Sequence, residues 1–439
     1  MSRDRYVDFL RAWAIGLVVL GHWLITVLVR EPDGRIVAPE LLATVPWTQW
    51  LTLAFQIMPL FFLAGGHAAG GSWARAREGG ATAAGWLGRR ALRLLLPVGV
   101  YSGLVLLAVG VGAAAGVDAD TLALVGWAMA MQFWFLPVYL LLSALTPVMY
   151  AAHRRWGAGV PPAMGAAALV VDVLVVREHV PYVGLLDYLL VWGVAYQLGF
   201  CWRDGLLTGR RLLPTVMAAG GVTAFAALVT LGPFPVSLIL VTGQHPGNTD
   251  PPSAAMLAWV VAQAGLCLLV APPVRRLLER ERVWRVVRPV GAASMTLYLW
   301  HMLPVLVAAA AFYLTGLAPE PGVGSAAWWA LRLPWLLVLG VVLAGVVTVL
   351  GPLERGLGVL YERTSPDAGL RRAWPLWLGL AMTVAALSRL AVRGFAPDGR
   401  LPLLPAAGLT LGTALVLLTG WTAARRPGRS AVPRVTDRV

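Results

Sequence analysis

Lysine is absent: all 35 residues in the Lys+Arg count are arginine. We attribute this to coding bias, because nothing in the pattern demands it. Charge is scarce overall, at 13% of the chain, where soluble domains carry about 25%. No polar stretch is longer than a loop, which excludes a separate soluble domain. Cysteine is nearly absent too. Cys201 and Cys267 lie far apart, in or near hydrophobic segments, which excludes a disulfide framework and a cysteine metal site. There is no Gly-x-Ser-x-Gly nucleophile elbow and no P-loop. Gly110-Val111-Gly112 followed by Gly116 lacks dinucleotide spacing and no strand precedes it. The formal charge of +14 does not point to nucleic acid, because the arginines gather in alternate loops. That is the positive-inside pattern of a membrane protein.

What the chain has is apolar length. Hydrophobic residues make up 59% of its 439 positions, and the mean hydropathy is +0.73. Runs of about 18 or more apolar residues read as membrane helices. They are expected at Ala12–Val29, Trp47–Trp73, Leu94–Ala115, Val125–Tyr150, Pro162–Val176, Leu185–Trp202, Leu213–Leu231, Ala254–Val270, Val290–Leu314 and Trp328–Leu350. A further hairpin is expected at Ala373–Val392 and Pro405–Ala424. The fold class is therefore all-α: a polytopic transmembrane bundle of about ten helices plus a C-terminal helical hairpin. Residues 1–360 form the core, 361–424 the hairpin, and 425–439 a basic disordered tail. About 28 of the 35 arginines fall on one side of this arrangement, which makes that side, and both termini, cytoplasmic. The first apolar run is too long for a signal peptide and has no cleavage site after it.

Three histidines fall inside expected helices: His22, His67 and His301. They stand eleven, eight and thirteen residues from Arg11, Arg75 and Arg288, or roughly 16, 12 and 20 Å at ~1.5 Å per residue. Arg11 is thus expected at the membrane surface, with His22 about halfway across. Ionisable groups at such depth usually mark a functional path. Three at similar depth suggest one polar chamber, although a buried histidine can simply bond a neighbouring helix. A neutral imidazole can take a proton from a hydroxyl or accept an acyl group. Arginine binds carboxylate or phosphate through its fork and is not a base. His22 is therefore expected to react, and the arginines to bind. Metal binding is disfavoured because carboxylates at matching depth are few, Asp172 being the main candidate. The stretches that hold Trp134 and Tyr298-Leu299-Trp300 bring aromatic rings beside the chamber, where a tryptophan either anchors its helix at an interface or lines the site.

Four stretches carry a likeness to a known family. They are Asp8-Phe9-Leu10-Arg11-Ala12 with His22, Pro59 to Gly66, Arg90-Ala91-Leu92-Arg93 followed by Leu94 to Pro97, and Ser294 to His301. In this order they resemble the acyltransferase 3 family, membrane-embedded acyltransferases that include O-acetyltransferases of bacterial surface glycans. The likeness spans about residues 5 to 350. One departure is Ala64-Gly65, where many members have Ser-Gly.

The resemblance implies transfer of an acyl group, often acetyl, from cytoplasmic acyl-coenzyme A to a hydroxyl. It implies no bound cofactor. The acceptor would be a glycan, a lipid or a small molecule beyond the bacterial plasma (inner) membrane. His22, Arg11 and His301 would be the catalytic residues, with His22 the base or acyl-accepting group and His301 orienting the acceptor. Arg90 and Arg93, three apart and expected on one face, would bind the donor. Asp8, His67, Trp134, Tyr298 and Trp300 would line the site. The alternative is a transporter or flippase of a small anion or lipid-linked sugar. Two comparable halves with matching broken helices, a usual transporter signature, are not evident.

Overall fold

The computed structural model describes residues 4–209, 211–364 and 373–424. Helix α1 spans Arg5–Ile25, earlier than the apolar run Ala12–Val29. Asp4 fixes its start, its carboxylate accepting the Tyr6 N–H at 2.9 Å, a standard helix cap. Thr26 turns extended and donates its hydroxyl to the His22 carbonyl at 2.6 Å, which ends the helix. Val29 then pairs with Val37 across a two-stranded antiparallel hairpin. Arg11 therefore lies within the helix rather than at its mouth. His22 stands in the last turn of α1.

Helix α2, Met58–Glu78, starts later than the expected Trp47. Pro59 sits in its first turn, where a missing N–H is harmless. The preceding residues form short turns that break at Gln56, whose side chain donates to the Leu238 carbonyl at 2.6 Å. Helix α3, Ala83–Ala114, starts earlier than expected because Thr82 caps it, accepting the Gly85 N–H at 3.1 Å. Arg89, Arg90 and Arg93, expected in or beside a loop, are thus inside a helix. The expected helix Val125–Tyr150 divides into α4, Ala119–Ala128, a 3-10 turn at Met131–Trp134 and α5, Phe135–Trp156.

Helices α6 (Val160–Val176), α7 (Asp187–Arg203), α8 (Leu212–Thr230) and α9 (Ala254–Glu279) follow. The expected helix Val290–Leu314 is broken. It is replaced by α10 (Glu281–Ala292), α11 (Ser294–Trp300) and α12 (Leu303–Ala308), with a bend of 44° between the last two segments. Pro304 explains the break. It has no N–H for the Trp300 carbonyl, and its ring clashes with that turn. Helix α13, Ala326–Thr364, absorbs part of the loop expected after Leu350. Helices α14 (Trp374–Arg393) and α15 (Leu403–Ala424) form the expected hairpin.

Among the described residues, nine helical runs are long and apolar enough to cross a membrane, or ten with the bent pair. One run, Met131–Val176, has 46 residues, about 69 Å of helix, against a hydrocarbon core of about 30 Å. It holds α5 and α6, separated at Gly157, whose φ is 55°. The chain is an all-α polytopic membrane protein.

Small residues set the closest approach: a Cβ at Gly66 in α2 would collide with the Tyr196 carbonyl of α7. The C-terminal hairpin joins the same buried core as the other helices. The Phe395 N–H donates to the Gly126 carbonyl at 3.0 Å, and its ring stands 5.4 Å from Phe133. The tail 425–439 with Ser430, the stretch 365–372, and Ser2 lie outside the described residues.

Candidate active site

The break before Pro304 brings a histidine of α11's end to a histidine of α1's last turn. His22 Nδ1 and His301 Nε2 are 2.8 Å apart, their rings nearly parallel with centroids 4.9 Å apart. His301 Nδ1 lies 2.9 Å from the Tyr298 carbonyl oxygen. A carbonyl only accepts, so Nδ1 of His301 carries the hydrogen. A neutral His301 then accepts at Nε2, and His22 donates from Nδ1. This assignment of hydrogens follows from the partners. It leaves the lone pair of His22 at Nε2. His301 is fully buried, whereas His22 keeps part of its surface open.

The surroundings hold this pair in place. The His301 carbonyl, released by the helix break, accepts the Trp23 indole N–H at 2.7 Å. Tyr298 donates its hydroxyl to the Gln132 carbonyl at 2.6 Å. The Gln132 amide reaches back to the Leu299 carbonyl and the Tyr101 hydroxyl, each at 3.2 Å. Trp300 meets Tyr101 edge-on at 4.7 Å. Trp134 packs instead against Trp192, at 5.9 Å.

A second cluster gathers the arginines. Arg90 of α3 donates from Nη2 to the Tyr139 hydroxyl at 2.5 Å and from Nε to Ser143 Oγ at 3.3 Å. Arg11 of α1 also reaches the Tyr139 hydroxyl. Two guanidinium groups thus meet on one hydroxyl oxygen of α5. Arg93, one turn along the same helix, is exposed. Asp8 lies in the first turn of α1, three residues before Arg11.

His67 departs from the expected chamber. Its ring lies 4.5 Å from Trp202, near the charges of Asp4, Arg203 and Arg275. Arg275 holds Asp4 with two bonds, of 3.0 and 2.7 Å. Burial opposes ionisation of the Asp4 carboxyl. The Arg275 fork and the Tyr6 N–H outweigh it and keep the group below the usual carboxylate range. Asp172 accepts the Ala254 N–H at 3.2 Å. Among the described residues, no three histidine, cysteine or acidic side chains come together in metal-binding fashion.

Tyr139, Ser143 and Gln132 were not singled out from the sequence. Tyr139, Ser143 and Thr146 recur at i, i+4 and i+7, a polar stripe on one face of an otherwise apolar helix.

The family model described as an acyltransferase domain matches residues 4–353. The chain belongs to the acyltransferase 3 family. No curated protein and no solved structure matches it. The match makes the molecule a membrane acyltransferase and sets aside the transporter reading. It covers every residue of both clusters. It stops within α13, so the α14–α15 hairpin lies beyond the matched residues of this acyltransferase.

Proposed function

We propose that this acyltransferase moves an acyl group, acetyl in the simplest case, from acyl-coenzyme A to a hydroxyl of an acceptor on the opposite side. The observation that carries the reading is the chain from the Tyr298 carbonyl through His301 to His22. It leaves the Nε2 lone pair of His22 without a protein partner along this chain, on the residue of the pair that is not fully buried. In the reaction, the acceptor hydroxyl oxygen attacks the thioester carbonyl carbon while its proton passes to His22 Nε2. The carbon–sulfur bond then breaks, and the coenzyme A sulfur leaves as a thiol by taking that proton. Nε2 of His301 accepts the Nδ1–H of His22 throughout. That hydrogen bond strengthens as His22 becomes charged, much as a carboxylate steadies the histidine of a catalytic triad. In the variant route, His22 Nε2 accepts the acyl group before the acceptor does.

The role of His301 changes accordingly. A fully buried ring cannot meet the acceptor directly, so we assign it to positioning His22. Arg11 and Arg90 hold an anionic part of the donor in place of, or together with, the Tyr139 hydroxyl. Arg93, exposed on the same helix, meets the donor phosphates first. Arg11 and His22 are eleven residues apart, about three turns or roughly 16 Å along one helix face. The extended pantetheine arm of the donor suits that separation. Asp8, Tyr298 and Trp300 flank this path, and His67 and Trp134 stand further from it. The acceptor class is a glycan, lipid or small-molecule hydroxyl.

The arginine-rich side is cytoplasmic and the membrane is the bacterial plasma membrane in this reading, supported by the arginine asymmetry. The test is to incubate the purified protein with radiolabelled acetyl-coenzyme A and candidate acceptors. Acceptor-dependent thioester loss is expected from the native protein and not from His22→Ala. Equal thioester loss from both would overturn the reading.

A further inference from the structure

Helix α10 lies outside both clusters and outside the mechanism. It has twelve residues, Glu281–Ala292, none of them fully buried. Val283, Trp284, Val287 and Val290 pack against the core. At 100° per residue, the opposite arc carries Arg282, Arg285, Arg288, Val286 and Pro289, and all five are exposed.

The level of this helix follows from its neighbour. Helix α9 has 26 residues, about 39 Å, against a hydrocarbon core of about 30 Å and about 40–45 Å with headgroups. Its end therefore emerges into the headgroup layer, where α10 begins one residue later. Arg5, at the start of α1, bonds the Leu278 carbonyl at the end of α9 at 2.9 Å and stands 5.0 Å over the Trp284 ring of α10. The outward arc mixes three arginines with Val286, which is 71% exposed. Three cations beside an exposed apolar side chain suit the boundary between headgroups and acyl chains better than bulk water.

We propose that α10 is an interfacial helix that binds anionic phospholipid headgroups through Arg282, Arg285 and Arg288. Each arginine near an anionic surface gains about 1 kcal/mol, about fivefold in binding. The bound lipid would sit against the segment that leads directly into α11 and His301.

The test uses the full-length protein in nanodiscs made from equimolar phosphatidylglycerol and phosphatidylcholine. Lipids retained by the protein are then quantified by native mass spectrometry. The native protein is expected to enrich phosphatidylglycerol over the bulk mixture. The triple variant Arg282→Gln, Arg285→Gln, Arg288→Gln should lose that enrichment about tenfold or more. An equal charge change elsewhere, Arg77→Gln, Arg154→Gln, Arg155→Gln, should keep it. The triple Arg→Lys variant at 282, 285 and 288 should keep it as well. In the native protein, about 1 M salt, with a screening length of about 3 Å, should remove it. No enrichment in the native protein, enrichment that survives in the glutamine variant, or equal loss in the control variant would overturn the proposal. So would loss of coenzyme A binding in the glutamine variant with lipid enrichment intact, since the arc would then serve the donor.

Discussion

His22 and His301 are 279 positions apart in the chain, yet their ring nitrogens lie 2.8 Å from each other. Two helix ends make this possible. Thr26 stops α1 one turn after His22, and Pro304 stops α11 at His301. Each histidine therefore sits at a helix terminus, where side chains and carbonyls are free of the regular ladder.

The first prediction separates the two rings. Loss of a general base typically reduces rate by ~10²–10⁴-fold, so His22→Ala should lower kcat by at least that factor while coenzyme A still binds. His301→Ala should lower kcat with little change in acceptor KM, because its role is to orient His22. His301→Gln should recover part of the loss, since an amide can still accept from His22 Nδ1. Steady-state kinetics of the three variants check this. A His301→Ala enzyme with normal kcat and raised acceptor KM would place His301 on the acceptor instead.

Arg90→Ala removes a guanidinium assigned to the donor, and a hydrogen bond from such a charged group is worth roughly 1.5–3 kcal/mol. Donor binding should weaken by at least tenfold. Tyr139→Phe should weaken it less, because both guanidinium groups remain. Arg93→Ala should have the smallest effect, since its side chain is exposed. Calorimetric titration with coenzyme A ranks the three. An Arg93 effect larger than that of Arg90 would reverse the assignment of these residues.

The Asp4–Arg275 pair should make the fold sensitive to acid. The carboxyl is held below its usual range, so its contribution is present above the unfolded value of about 3.9. It is lost as pH falls through the lower folded value. Asp4→Asn should therefore lower the thermal midpoint at neutral pH and flatten its decline below about pH 4. Melting curves of both proteins in detergent across that range provide the comparison, and parallel acid profiles would count against the pair.

Topology is tested by single cysteine replacements on a background lacking Cys201 and Cys267. In sealed cells, an impermeant thiol reagent added outside should label position 247 and not position 79. Ser2 and Ser430 are expected on the same side as Gly79. Labelling at position 79 would invert the proposed orientation.

The sequence by itself determined the class of this molecule. Apolar runs of membrane length and a one-sided arginine distribution are properties of composition along the chain, and each short motif could be read locally. Helix ends were less legible, because hydropathy does not register capping. Asp4 and Thr82 extend α1 and α3 over arginines that looked like loop residues. Pro304 breaks a run whose apolar character is continuous. The partners of the site residues came only from the tertiary structure. Nothing in the spacing of Arg11, Arg90 and Tyr139 says that three helices bring them to one hydroxyl, or that Arg93 stays exposed. His67 matched the other two histidines in depth along its helix, but depth fixes only one coordinate. Rotation about the axis is set by which faces pack, and packing aims His67 at Trp202 and sends His22 to His301.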